Sequence, residues 1–175
     1  MKATKESTTN TMWMQWNHHT KGMTHCETCL ALDQCWFAAD LHPRIPHHIH
    51  CHCTPLPIPQ AYAALCAETI NEYSKYVPYL FNTKGEYTHH KEKLFASWGY
   101  AEEDAHWLRQ EIDRQGRAKY VAGDYTLGKL DHNGQRISIR IELPRKSGDG
   151  MVSFISGWIA RPFGTIKLTT PYGGK

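Results

Sequence analysis

The most regular pattern of apolar and polar residues in the chain is a strict alternation over residues 137–143, which predicts a β-strand with one buried face. The apolar positions are Ile137, Ile139, Ile141 and Leu143. Asn133-Gly134, directly before them, is a tight-turn signal. Residues 151–160 and 165–170 predict two further strands, with turns at 147–150 and 161–164. The chain from Tyr125 onwards therefore predicts an antiparallel meander.

A helical period precedes this meander. Residues 101–120 carry apolar side chains three and four positions apart, at Ala101, Ala105, Leu108 and Ile112. Acidic residues at the start of this segment and basic residues towards its end match the helix dipole. Residues 88–98 and the apolar stretch 61–79 predict two more helices, and Pro78 should end the second. Helices followed by a meander predict an α+β fold, with helices packed on one face of an antiparallel sheet.

The first third of the chain has a different composition. Eight of the twelve histidines and five of the six cysteines lie within residues 1–57. This segment has no clear period, and we expect a metal to supply folding free energy that so short a core cannot. The proline-rich stretch 55–59 predicts an extended linker, because proline fixes φ and disfavours helix in the residue before it. We therefore predict a small zinc-stapled Cys/His module at 1–57, followed by an α+β domain at 58–175.

The cysteines and histidines of the module have the spacing of a zinc site. Cys26 and Cys29 form a CxxC pair, and a second group of Cys and His residues follows at 47–53. Thiolate and imidazole are the ligands that zinc prefers, and four of them close a tetrahedral structural site. We expect structural Zn²⁺, because a catalytic zinc needs an open position and a nearby general base.

The second half of the ligand set has alternatives. His48 and Cys51 are three residues apart and are the expected pair, with Cys53 as the first substitute. A Cys51 and Cys53 pair also fits, and Cys35 lies close enough in sequence to compete. Taken alone, Cys35 and Cys66 are more simply explained as reduced thiols without a ligand role.

Charge and hydropathy exclude some classes of protein. The net charge is +3, and the excess lies after residue 57, where sixteen Lys and Arg face thirteen Asp and Glu. This balance permits RNA or phosphate binding without requiring it. No apolar run approaches the roughly 18 residues that span a bilayer, so we expect no membrane partner. Residues 1–10 are polar and do not form a secretory signal, so we expect reduced thiols and a soluble protein.

Two sequence blocks of the module, residues 26–33 and 48–53, follow a known pattern. Together with Trp36-Phe37, they resemble the C-terminal end of phage head-morphogenesis (minor capsid) proteins over about residues 20–57. The chain departs from that family at Gln34 in place of Gly, Ile49 in place of Pro and His52 in place of Arg. The resemblance implies a phage origin, capsid or portal proteins as partners, and a location in the host cytoplasm or the virion.

The rest of the chain resembles a domain of unknown function found behind such phage modules and at the C-termini of polymorphic toxins. The short segments that match are residues 91–95, 99–100, 134–136, 157–158 and 168–172. This resemblance marks Lys91, Gln135, Arg136, Thr170 and Tyr172 as site residues. By fold-level analogy it implies a ribonuclease of the barnase and colicin group, which would act on RNA and need a cognate immunity protein.

A metal-independent ribonuclease needs a base for the 2′-OH, cations for the transition state and an acid for the leaving oxygen. Lys91, Arg136, Thr170 and Tyr172 are the predicted catalytic residues. His89, His90 and His132 have suitable chemistry, but the resemblance does not mark them. Each of these positions also has a plain structural explanation as a helix cap, a turn residue or a strand residue.

Two functions follow from these patterns. The first is a phage-derived minor capsid or head-morphogenesis protein with a structural zinc site and a C-terminal interaction domain. The alternative is a toxin or effector whose C-terminal domain is a metal-independent endoribonuclease. Only the second makes the chain an enzyme. A nucleic-acid-binding zinc module without chemistry is disfavoured, because the Cys/His segment has equal numbers of cationic and anionic residues.

Overall fold

The protein is described by a computed structural model covering residues 12–19, 26–82 and 91–172. Mixed α and β elements confirm the predicted α+β fold. In chain order the elements are β1 (Trp13–Asn17), α1 (Glu27–Leu32), β2 (Trp36–Ala38), β3 (Thr54–Ile58), α2 (Gln60–Cys66), β4 (Glu68–Ile70), a 3₁₀ turn (Tyr73–Lys75), a π-helical turn (Tyr76–Leu80), α3 (Lys91–Ser97), a 3₁₀ turn (Glu102–Asp104), α4 (Ala105–Val121), β5 (Thr126–Asp131), β6 (Gly134–Pro144), β7 (Met151–Ala160) and β8 (Thr165–Thr170).

The larger sheet has five strands in the order β4-β8-β7-β6-β5. Strands β5 to β8 form the predicted antiparallel meander, with Gly134 opening β6 at a φ of 115° that favours glycine. The four apolar residues of the alternation are all buried, as predicted. The short strand β4 adds a parallel edge next to β8, so the sheet is mixed rather than purely antiparallel.

Helix α4 covers one face of this sheet and confirms the predicted helix from Ala105 onwards, whereas residues 102–104 form a 3₁₀ turn and Ala101 is extended and exposed. Ala105, Leu108 and Ile112 are buried against the sheet. Gly116 lies directly over the ring of Trp158 in β7, where an added Cβ would be 2.6 Å from that ring. Arg117 ties the helix to α2 by donating to the carbonyl oxygens of Ala67 and Ala64 at 2.7 and 2.8 Å.

The predicted helix at 61–79 is largely wrong. Helix α2 ends at Cys66, Ala67 is extended, and the chain then enters β4 before two short helical turns. Pairing of Thr69 with Ile166 of β8 satisfies backbone groups that a longer helix would have bonded internally. Tertiary pairing has overridden helix propensity in this stretch. Of the predicted helix at 88–98, residues 91–97 form α3, and residues 88–90 lie outside the described part.

A second, three-stranded sheet occupies the first third of the chain, in the order β2-β1-β3. The proline-rich stretch is extended as predicted, but it pairs with β1 as strand β3 instead of running as a linker. Pro55 and Pro57 are compatible with pairing because β3 lies at the edge of its sheet. Strand β1 carries the buried Trp13 and Trp16 and was not predicted from the sequence.

Aromatic residues of α4 and the loop after it join the two sheets. Tyr120 packs edge-on against Trp13 at 5.0 Å between ring centroids, and its hydroxyl donates to the carbonyl of Trp36 at 2.7 Å. The Tyr125 hydroxyl accepts from the Ala38 amide at 2.9 Å and donates to the Leu41 carbonyl at 3.0 Å. Among the described residues, no helix has the length and apolar character needed to cross a bilayer.

Candidate metal centre and lysine site

The first two predicted ligands lie at the start of α1. Cys26 immediately precedes the helix and Cys29 sits in its first turn, so the CxxC spacing brings both thiols to one side. Helix α1 buries Leu32 next to Cys29, with β1 and β2 contributing Trp16 and Phe37 to the same cluster. A small apolar core therefore fixes the position of the helix and of its thiols.

The second group lies in the loop that leads into β3. A turn closed by the Cys51 amide and the His48 carbonyl at 3.1 Å brings these two residues together. The Sγ of Cys29 lies 3.2 Å from Nε2 of His48 and 3.9 Å from Sγ of Cys51. In a tetrahedral zinc site with Zn–S bonds near 2.3 Å, two sulfurs lie about 3.8 Å apart. The distance between Sγ of Cys29 and Sγ of Cys51 matches this separation.

One donor was missed by the sequence analysis. His18, at the end of β1, has Nδ1 3.4 Å from Sγ of Cys53. The donor atoms of His18, Cys29 and Cys53 lie within 4.8 Å of one another, as do those of Cys26, Cys29 and His48. The only sequence signal was the His18-His19 pair, which precedes the CxxC motif by seven residues and does not belong to its spacing pattern.

These donors line one small cavity of about 20 Å³, which is room for about one water-sized group. Its lining residues are His18, His19, Cys26, Cys29, His48, His50, Cys51, His52 and Cys53. Cys29 belongs to both donor groups and occupies the centre of the cluster. Soft sulfur and imidazole nitrogen are the donors that zinc and other thiophilic ions select, so the cluster could hold a metal ion.

The ring of His48 is oriented for ligation. Its Nδ1 lies 2.6 Å from the carbonyl oxygen of Ile49. A carbonyl can only accept, so Nδ1 carries the proton and Nε2 presents its lone pair towards Cys29. This is the second hydrogen bond that metal-bound histidines ordinarily make. The bond to Ile49 and the neighbouring thiols also raise the pKa of the imidazole.

The thiols differ in how readily they ionise. Burial opposes ionisation of Cys51, but backbone hydrogen bonds from His47 and Cys53 outweigh it and lower its pKa to about 7. Burial likewise opposes ionisation of Cys26, and backbone hydrogen bonds from the next residues lower its pKa. Burial and the crowding of other thiols raise the pKa of Cys29, the central donor. A bound cation would favour the thiolate at this crowded position.

Cys53 is held in a more apolar setting. Burial raises the pKa of its thiol, which the indole N–H of Trp16 partly offsets. That N–H is buried and forms no full hydrogen bond within the described residues, so the contact with Cys53 is a weak one. Cys51 lines the same cavity but belongs to neither donor group, and two other cysteines lie away from the cavity. Cys35 is fully buried and donates to the Ala31 carbonyl at 3.6 Å, and Cys66 lies on α2.

A second constellation forms where α3 meets the end of β8. Nζ of Lys91 donates to Oγ1 of Thr170 at 3.1 Å and to Oη of Tyr79 at 2.9 Å. The Thr170 hydroxyl in turn donates to the Tyr172 carbonyl at 2.7 Å. Two of the four predicted catalytic residues, Lys91 and Thr170, therefore meet through their side chains. Tyr172 contributes only its backbone carbonyl, and Tyr79 joins the group without having been predicted. All four side chains are half-buried.

Arg136 lies apart from that group. It is exposed on β6 opposite Ile159 of β7, and β7 separates it from β8. Gly157 of β7 pairs with both Ser138 and Thr170, so the three share a sheet face, and alternation places Arg136 on that face too. Standard strand spacing puts the Cα atoms of Arg136 and Thr170 roughly 12 Å apart.

The remaining candidates have structural settings. Gln135 is buried, and its amide donates to the carbonyls of Gly128 and Arg136, which secures the irregular β5 to β6 pairing. His132 lies in the turn between these strands beside Asn133. His89 and His90 fall outside the described residues.

The chain is thus an α+β protein with a Cys/His cluster near residues 18–53 that could hold a metal ion. Residues 67–175 match the model of a family described as Domain of unknown function (DUF6883), and the chain belongs to that family. The match begins just before β4 and includes Lys91, Arg136, Thr170 and Tyr172, but none of the Cys/His cluster. Comparison with curated proteins finds no match, and comparison with solved structures finds none either.

Proposed function

We propose that the Cys/His cluster binds one Zn²⁺ with a structural role. The ligands are the thiolates of Cys26, Cys29 and Cys51 and Nε2 of His48. Cys53 and His18 form a second donor group with Cys29. Support comes from the donor chemistry, the single small cavity and the orientation of His48. Four protein ligands leave no open coordination position for a substrate, which favours a structural ion over a catalytic one.

Metal analysis tests this role. Native mass spectrometry of the full chain should show one zinc per chain, and Cys29→Ser should lose it. Cys66→Ser is the matched control, because Cys66 lies on α2, outside the cavity that the donors line, and its loss should leave zinc content unchanged. Full zinc content in Cys29→Ser would contradict the proposed ligand set.

The C-terminal domain is proposed to be a metal-independent endoribonuclease of effector type. The observation that carries this proposal is the convergence of Lys91 with Thr170, which lie 79 residues apart in sequence. The backbone carbonyl of Tyr172 accepts from the Thr170 hydroxyl beside them. An ammonium group held by neutral oxygens at a half-buried site suits stabilisation of a phosphorane-like transition state. Arg136 and Arg140 on the exposed sheet face add cations that an RNA backbone could follow.

RNA cleavage tests this activity. The purified chain should cleave total RNA with and without EDTA, because the proposed site uses no metal. Lys91→Ala should lower the rate by about a hundredfold or more. Lys93→Ala is the matched control, since Lys93 is exposed two residues along the same helix. Absence of cleavage by the wild-type chain, or equal loss in both variants, would count against the site.

The second candidate is a phage minor capsid or head-morphogenesis role, in which the C-terminal domain binds capsid or portal proteins. It is supported by the two sequence blocks of the phage resemblance, which the fold brings together in one cluster. Exposed Leu65 and Tyr62 on α2 offer an apolar surface for a protein partner. Recovery of the chain in purified virions, and its loss from them in Leu65→Asp, would favour this role over the enzyme.

A further inference from the structure

Tyr79 makes a contact with Lys91 that the sequence patterns did not suggest. Its hydroxyl oxygen lies 2.9 Å from Nζ of Lys91, which also sits 4.8 Å from the centre of the Tyr79 ring. An ammonium group can only donate, so the Tyr79 oxygen accepts in this bond and the phenol keeps its own proton. Lys91 thus holds both the Tyr79 and the Thr170 oxygens around one positive charge.

The position of Tyr79 is fixed by its surroundings. It lies in the π-helical turn Tyr76–Leu80, between the buried residues Tyr76 and Leu80. Its own side chain is half-buried, so it is accessible to a ligand while its backbone is anchored. Burial opposes ionisation of the phenol, but the hydrogen bonds with Lys91 and Thr170 and the charges of nearby lysines together outweigh it and lower the pKa of Tyr79. A phenol beside a cation is a stronger acid than a free one.

We infer that Tyr79 is a further catalytic residue of the proposed ribonuclease, acting as the general acid for the leaving 5′ oxygen; the inference rests on that proposed function. As the 2′ oxygen attacks phosphorus, its proton passes to solvent and the P–O2′ bond forms. The P–O5′ bond breaks, and O5′ takes the phenolic proton of Tyr79. The Lys91 ammonium stabilises the resulting tyrosinate, which regains a proton from water. No oxidant, metal or co-reactant enters the step.

Two RNA substrates separate this role from a merely structural one. The cleaved bond is first mapped with the wild-type chain and an ordinary oligonucleotide. A second oligonucleotide then carries sulfur in place of the 5′ bridging oxygen at that bond. A thiolate leaves without protonation, so the second substrate needs no general acid.

Tyr79→Phe should lower the rate on ordinary RNA by about a hundredfold or more and change the rate on the sulfur substrate by less than about threefold. Lys91→Ala should slow both substrates, since charge stabilisation is needed in either case. Tyr73→Phe is the matched control, because Tyr73 is exposed in the preceding turn and contacts His106 instead of Lys91.

The outcomes distinguish the inference from the function it rests on. A wild-type chain that cleaves neither substrate would overturn the ribonuclease proposal and this inference together. Cleavage by the wild type, with equal losses on both substrates in Tyr79→Phe, would leave the ribonuclease standing and overturn the acid role. An undiminished rate on ordinary RNA in Tyr79→Phe would overturn it as well. Far-ultraviolet circular dichroism of each variant confirms that the fold is kept.

Discussion

Replacing Gly116 by Ala should destabilise the protein, although the same change in an exposed helix stabilises. In a helix interior, alanine is favoured over glycine by about 1 kcal/mol. Here the added Cβ would lie 2.6 Å from Cζ2 and 2.9 Å from Cη2 of Trp158. Ordinary contact begins near 3.4 Å. The helix or the ring must therefore move by the better part of an ångström.

Trp158 has little freedom to move. Its side chain is fully buried, and its Nε1 donates to Oγ of Ser156 at 2.7 Å. Overpacking a rigid core costs about 1–3 kcal/mol. Set against the gain of about 1 kcal/mol in helix propensity, this cost leaves Gly116→Ala with a net loss of up to about 2 kcal/mol of unfolding free energy. Urea denaturation followed by tryptophan fluorescence, at fixed zinc concentration, measures the loss.

Two further variants separate packing from propensity. Ala118→Gly changes an exposed position of the same helix and should cost about 1 kcal/mol from propensity alone. Trp158→Phe removes the two ring atoms nearest the added methyl group. In that background, Gly116→Ala should be less harmful by about 1 kcal/mol or more. A Gly116→Ala protein more stable than the wild type would refute the packing argument.

Three more predictions concern other parts of the fold. Removal of the proposed zinc with a chelator should lower Tm by about 10 °C, because a ligand at a thousandfold excess over its Kd contributes about 4 kcal/mol. Calorimetry with and without added zinc checks this, and an unchanged Tm would argue against a structural metal. Gly164→Ala should destabilise the protein by about 3 kcal/mol, because Gly164 has a φ of 76° and its added Cβ would meet the ring of Trp36. Gly148→Ala, at a φ of 102° in open space, should cost only about 1 kcal/mol of backbone strain. Equal losses of stability in urea would refute this difference. Burial opposes ionisation of Asp104, but the 2.7 Å ion pair with Lys146 and the hydrogen bond from the Ala101 amide together outweigh it and lower the pKa of the carboxyl. The pair therefore stabilises the fold above the ordinary pKa of Asp, and this stability is lost as pH falls through the lowered pKa. Lys146→Ala should cost about 0.5 kcal/mol at neutral pH and progressively less in acid, as urea curves at neutral and acidic pH would show.

The sequence predicted the C-terminal sheet well because its signals are local. The alternation at Ile137 to Leu143 and the turn at Gly134 depend only on neighbouring residues, and strands β7 and β8 have the predicted bounds. Helix α4 was predicted for the same reason. Strand β4 could not be found in this way, because it exists only through pairing with β8, almost a hundred residues later.

The same contrast between local signals and tertiary contacts explains which site residues could be predicted from the sequence. The CxxC pair and the group at 48–53 carry a spacing signal, and the structure brings Cys26, Cys29 and His48 within ligand distance of one another. His18 carries no such signal, because β1 delivers it to the cluster only once the three-stranded sheet forms. The meeting of Lys91 with Thr170 is likewise a tertiary event, and Tyr79 follows from it. The predicted boundary at residue 57 stays a prediction.

The contacts of Tyr120 and Tyr125 with the three-stranded sheet form an aromatic seam, and this seam crosses the boundary of the family match. The segment that matches the family is therefore not the segment that folds as one unit. The family match begins at residue 67, yet Tyr120 and Tyr125 make their hydrogen bonds with Trp36, Ala38 and Leu41. A fragment cut at the family boundary would present those rings to water. Melting of the chain should accordingly be cooperative across the seam, and occupancy of the Cys/His cluster would then govern how often the whole molecule opens to proteases.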